Sequence, residues 1–137
     1  GVQVFANMSA QRAVGDTTAS FSNYQPRTYN WGVSLSRPKF NVRMNWNYRG
    51  RRRGAYIAES PRSIEAGTYT WGSKRSYIDL TGEYSIRRNF ALFANLRNIN
   101  KPSDDLEIAG PNTLESAQLR QRQDFGSLWT IGIKGTF

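Results

Sequence analysis

Apolar and polar residues alternate with a period of two along most of the chain, and the helical spacing of three and four is nearly absent. The clearest stretch is Phe40-Asn41-Val42-Arg43-Met44-Asn45-Trp46-Asn47-Tyr48-Arg49, where even positions are large and apolar and odd positions are Asn or Arg. Successive side chains of a strand point to opposite faces, so this segment predicts a strand with one apolar and one polar face. From Tyr77 to Arg87 the pattern recurs, with Ile78, Leu80, Tyr84 and Ile86 on one side and Asp79, Thr81, Glu83 and Arg87 on the other. Val2 to Gln11, Tyr29 to Ser36, Phe90 to Arg97 and Trp129 to Phe137 follow the same rule, which gives six predicted strands. No position on the apolar phase is charged, and the opposite phase is polar except at Phe5, Ala91, Phe93 and Leu128.

Alternation alone does not separate a buried face from a lipid-facing one. The connections do. Only Arg37-Pro38-Lys39 and Arg88-Asn89 join the second strand to the third and the fourth to the fifth, whereas Arg12 to Thr28, Gly50 to Ser76 and Asn98 to Leu128 are long. Short turns therefore fall at one end of the sheet and long loops at the other, as in transmembrane barrels. Loops this long would count against a compact soluble domain. The expected fold is all-β: an antiparallel up-and-down segment of about six strands from a transmembrane β-barrel, part of a larger barrel because closed ones need at least about 8 strands. Within the loops, Asn112-Thr113-Leu114-Glu115 is suited to open a short helix through Gln121, with extended strands as the equal alternative. Tyr69 and Trp71 have the opposite phase to Ile78, which predicts a slip or bulge between them.

Composition narrows the chemistry. The chain has 137 residues, 19 Lys+Arg against 10 Asp+Glu for a net charge of +9, and neither Cys nor His. That excludes zinc fingers, thiol and Ser-His nucleophiles, His proton shuttles and disulfide frameworks. No acid-base pair stands out, so neither enzymatic activity nor a cofactor is expected. No apolar run approaches the ~18 residues of a membrane helix. The amino terminus lacks the basic start and apolar stretch of a signal peptide, and residue 1 already lies inside a periodic pattern, so the chain is expected to begin part-way through a larger protein.

The charge and a pI near 10.4 raise nucleic-acid binding as a rival. A single-strand platform needs aromatic and basic groups on one face. Trp46 and Tyr48 lie on the opposite phase from Arg43 and Arg49, so no nucleic-acid partner is expected. A soluble basic β-protein that binds a small apolar ligand would turn its apolar face inward and remains the alternative.

The last segment, Trp129-Thr130-Ile131-Gly132-Ile133-Lys134-Gly135-Thr136-Phe137, resembles the terminal strand of bacterial outer-membrane barrels, whose assembly signal Thr130, Gly132 and Phe137 match and from which Gly135 departs. From Tyr77 onward the resemblance is to the C-terminal end of TonB-dependent receptors, which characteristically carry an Asn-Leu-x-Asn element that Asn95, Leu96 and Asn98 fit. The resemblance covers the last 61 residues. It implies a bacterial outer-membrane transporter for a scarce nutrient of the siderophore, cobalamin or carbohydrate type. Its implied partners are TonB, an N-terminal plug domain, the barrel-assembly machinery, the lipid bilayer and lipopolysaccharide. Residues 1–137 would supply C-terminal barrel strands, with no plug domain among them.

On this phase Val42, Met44, Trp46, Ile78, Leu80, Ile131 and Ile133 are expected to face lipid. Asn41, Arg43, Asn45, Asp79, Glu83, Asn95 and Arg97 are expected to face the lumen, with Arg49, Arg87 and Lys134 beside them. Arg49, Arg51, Arg52 and Arg53 form the densest charge cluster, suited to lipopolysaccharide phosphates or an anionic substrate, with a solvated loop as the plain alternative. Asp104, Asp105 and Glu107 lack calcium-loop spacing and are expected to be a solvated acidic loop. Asn7-Met8-Ser9 is a sequon by pattern but lies in mid-strand.

Overall fold

The computed structural model describes residues 1–12, 14 and 22–135. It contains strands β1 (Val2–Ala10), β2 (Arg27–Ser36), β3 (Phe40–Arg49), β4 (Arg52–Tyr56), β5 (Tyr69–Gly72), β6 (Arg75–Arg87), β7 (Phe90–Arg97), β8 (Ser103–Ala109), β9 (Leu119–Asp124) and β10 (Leu128–Gly135). There is no α-helix among the described residues.

The six segments with strong alternation form one antiparallel sheet in the order β1-β2-β3-β6-β7-β10, with free edges at β1 and β10. Where about six strands were expected there are ten, because the long connections carry a second sheet in the order β4-β5-β8-β9. Each of these four continues a strand of the first sheet: β4 follows β3, β5 precedes β6, β8 follows β7 and β9 precedes β10. The lateral order is the same, so two long hairpins pass from one sheet into the other. The ladder is interrupted at Gly50-Arg51, Ser73-Lys74, residues 98–102 and residues 125–127. This interruption, rather than a bulge, lies between Trp71 and Ile78. The helix considered from Asn112 is likewise replaced by a 3₁₀ turn at Glu115–Ala117 running into β9.

Asn side chains build the exit of β7. Asn98 and Lys101 take positive φ angles of 55° and 47°, and the Lys101 N–H donates to the Asn98 carbonyl at 2.9 Å. Asn tolerates the left-handed conformation better than most residues. The Asn100 amide then substitutes for a strand residue: its Nδ2 donates to the Ser76 carbonyl at 2.6 Å, and its Oδ1 accepts the Ile78 N–H at 3.0 Å. Asp79 accepts the Asn98 N–H at 3.0 Å. Backbone groups of β6 that β7 no longer reaches are thus satisfied.

Register carries the alternation across the whole sheet. Val4, Val33, Met44, Leu80, Leu96 and Trp129 are successive direct partners on all six strands. The adjacent row is Gln3, Ser34, Arg43, Thr81, Asn95 and Thr130. One face is therefore continuously apolar, and the other is polar apart from Phe5, Ala91, Phe93, Leu128 and the glycines. Neither is covered: Ala91 is the one buried hydrophobic residue among those described, and no side chain is fully buried. Val4 is 73%, Ile131 74% and Ile133 62% exposed.

Two of the four phase exceptions have a partner. Phe5 lies directly opposite Gly32, and Phe93 opposite Gly132, on the polar face. In each pair the aromatic ring occupies the space that a side chain on the glycine would take. Phe5 continues over the glycine to Arg43 on the next strand, whose guanidinium sits 5.5 Å from the ring centroid.

Candidate membrane interface

The apolar face is layered along the strands. Toward the long loops, Tyr29 packs on Tyr48 with ring centroids 5.5 Å apart, Trp31 on Trp46 at 5.7 Å, and Trp46 on Tyr48 at 6.1 Å. The Trp46 indole N–H donates to Ser76 Oγ at 2.6 Å. Toward the short turns, Phe40 lies opposite Tyr84, and Phe90 opens β7. Between the aromatic bands lie Val33, Leu35, Val42, Met44 and Leu80. Sequence reasoning missed both bands, although the aromatic positions on the apolar phase were there to be read.

The bands run obliquely. Trp129 lies opposite Leu96, whose row passes through Leu80 to Met44, four residues from Tyr48 and three strands away. At ~3.3 Å per residue and ~4.8 Å between strands, this slant corresponds to a tilt of about 40–45°. The short turns are offset in the same sense, since Phe93 shares the row of Asn41 while β7 begins three residues earlier at Phe90.

On the polar face Asn41, Glu83, Phe93 and Gly132 form one row, and Asn45 lies between Gly32 and Asp79. Lys134 Nζ approaches Glu83 Oε2 at 3.6 Å, an exposed and weak pair. Arg97 lies opposite Leu128. Among the described residues Arg43, Arg49, Arg87 and Arg97 form no ion pair. Thr130 and Gly132 lie in β10; Phe137 is outside the described residues.

The arginine run does not converge. Arg49 ends β3 opposite Arg75. Arg51 pairs with Glu107 at 2.6 Å and stacks 4.5 Å from the Trp71 centroid. Arg53 stacks 4.8 Å from the Tyr69 ring, and Arg52 lies against Gly72 on the opposite phase. These contacts hold three neighbouring cations apart and tie β4 to its sheet. The acidic residues of β8 are likewise engaged, not free in a solvated loop: Asp104 pairs with Arg75, Asp105 takes a bidentate grip from Arg122 at 2.9 and 2.8 Å, and Glu107 takes Arg51. The Arg122 hydrogen bonds, and then its charge, hold the Asp105 carboxyl below the usual range, while the same contacts raise the Arg122 guanidinium. Each of these β8 carboxylates is matched to an arginine, and no acidic cluster among the described residues is placed to hold a metal ion.

The class defined by these features is an all-β chain of two antiparallel sheets in which the larger exposes an unbroken apolar face. No protein-family model, curated protein or solved structure matches the chain.

Proposed function

We propose that the six-stranded sheet is a wall segment of a bacterial outer-membrane β-barrel, in a nutrient transporter of the TonB-dependent receptor type. Val42, Met44, Trp46, Ile78, Leu80, Ile131 and Ile133 face lipid. Asn41, Arg43, Asn45, Asp79, Glu83, Asn95 and Arg97 line the lumen against a plug domain, and the four-stranded sheet projects outward. The observation that carries the proposal is the apolar face: it spans six strands, is bracketed by aromatic rows and is left uncovered by the described residues, whereas a water-soluble sheet this size would bury it. From Phe40 to Tyr48 is about 27 Å along the strand, or about 20 Å along the membrane normal at the observed slant, close to the ~25 Å apolar band of outer-membrane barrels with their aromatic girdles. That slant also falls at or near the ~35–45° strand tilt of such barrels. The receptor type rests on the sequence resemblance, with Asn98 and Asn100 shaping the exit of β7 in support. Loop arginines left exposed would meet lipopolysaccharide, and the free edges of β1 and β10 would pair with further strands of the barrel.

Neighbouring residues of β3 test the assignment. Spin labels at Met44 and Asn45 of the whole protein in bilayers should relax differently, Met44 with lipid-soluble oxygen and Asn45 with a water-soluble paramagnet. The reverse pattern, or equal access of the aqueous reagent to both, removes the lipid face.

A further inference from the structure

The tips of the two long hairpins flank an open cavity of about 840 Å³, within the ~300–1,000 Å³ range of small-molecule sites. It lies between residues 57–68 and 108–120, at the loop end of the four-stranded sheet, to which Ile108 of β8 and Arg120 of β9 belong.

The cavity is built around Glu65. Its carboxylate accepts the Asn112 N–H at 2.8 Å and the Asn112 side-chain amide at 2.9 Å, with Thr113 Oγ1 at 3.5 Å. Thr68 is the one buried polar residue among those described, at 4% exposure, and its hydroxyl donates to the Glu65 carbonyl at 2.7 Å. Gly110 is required by this arrangement, because a Cβ there would come within 2.5 Å of both Glu65 Oε1 and Thr68 Oγ1. On the other side, reciprocal backbone hydrogen bonds of 2.9 and 3.0 Å between Ser60 and Ile64 fix the turn that carries Arg62. The two loops are thus clamped, and the space between them is preformed.

Its lining is specific in charge. Ile57, Ile64 and Ile108 supply apolar wall, and Arg62 and Arg120 supply the cations. Among the described lining residues the one carboxylate is Glu65, whose two oxygens are turned to Asn112, so the two arginines leave the lining with a net positive charge. Neither arginine forms an ion pair among the described residues, in contrast to Arg51, Arg75 and Arg122 of the adjoining sheet. Two uncommitted guanidinium groups beside an apolar wall complement an anion whose remaining surface is uncharged.

We propose that this cavity is a binding site for a small soluble organic anion, a carboxylate or phosphate on an apolar body, held by Arg62 and Arg120. It depends only on the loop structure and stands whether or not the six-stranded sheet crosses a membrane.

The test is calorimetric titration of the whole protein, kept in zwitterionic nanodiscs or in plain buffer, whichever leaves it monodisperse. The probes are phenyl phosphate and benzoate, with benzyl alcohol and benzylamine as neutral and cationic controls. Both anions should bind saturably and compete, the controls should not, and Arg62→Gln and Arg120→Gln should each weaken binding about tenfold. The double Lys variant should keep most of the affinity, which guards against misreading a folding defect. Absence of anion binding, equal binding by benzyl alcohol, or unchanged binding in the double Gln variant would overturn the site. Displacement of phenyl phosphate by lipopolysaccharide added to the sample would overturn the soluble-ligand assignment in favour of a lipid headgroup.

Discussion

The Phe93 ring closes over Gly132, its direct partner on the neighbouring strand, so tightly that a Cβ added to the glycine would stand 2.6 Å from the ring's Cζ. The same relation joins Phe5 to Gly32, where the added Cβ would meet Phe5 Cε1 at 2.6 Å and the Met44 carbonyl oxygen at 2.6 Å. Each pair places an aromatic residue on a polar face where its own strand's pattern calls for a polar one. A glycine in a strand leaves a gap and exposes ladder hydrogen bonds, and a ring from the facing position fills it.

Gly132→Ala should destabilise the assembled protein by about 1–3 kcal/mol, the range for forcing extra volume into a packed contact. Removing the ring as well, in Gly132→Ala/Phe93→Ala, should recover part of the loss, because the clash is gone. Gly32→Ala should be the more damaging substitution, since backbone of β3 must move and no side-chain truncation relieves it. Reversible unfolding measures all three, and strictly additive effects at positions 93 and 132 would contradict the contact.

Asn100 makes a second, separable prediction. Asn100→Ala removes both the donor to Ser76 and the acceptor for Ile78, each contact with a backbone group being worth about 0.5–1.5 kcal/mol. Amide exchange at Ile78 should accelerate in this variant. Asn100→Asp keeps an acceptor for the Ile78 N–H but loses the donor, so protection at Ile78 should largely survive. Equal loss of protection in both variants would show that the amide does not stand in for a strand.

Acid should loosen the four-stranded sheet through Asp105. Its folded-state carboxyl is held below its ordinary value of 3.8 by Arg122, so the charged pair favours the folded form. That contribution is fully present above the ordinary value and is lost as pH falls through the lower, folded-state value. In Asp105→Asn the contribution is absent at every pH. Exchange protection in β8 and β9 should therefore be greater in the wild type than in the variant at pH 5, with the difference narrowing below pH ~4. A gap that widens on acidification would give the shift the wrong sign.

The six strands, their two faces and the end at which the chain turns sharply are legible in the residue pattern, because a period of two is a local property of an extended backbone. Arg37-Pro38-Lys39 and Arg88-Asn89 were readable as turns for the same reason: too few residues separate the strands for any other path. Tertiary pairing alone decided the rest. The strands β4, β5, β8 and β9 are short, and their alternation is broken by Gly54, Gly72 and the acidic run of β8, so nothing local distinguishes them from loop. They become a sheet because hairpins β3–β6 and β7–β10 deliver them side by side, where Arg51, Arg75 and Arg122 meet Glu107, Asp104 and Asp105. The paired residues lie 17 to 56 positions apart in the chain, and the cavity clamp joins Glu65 to Asn112 across 47, so no short sequence window contains either set. Phe5 and Phe93 mark the same boundary: each is an error in its own strand's pattern, and each is explained by a glycine on another strand, which register places beneath it and which alternation cannot see.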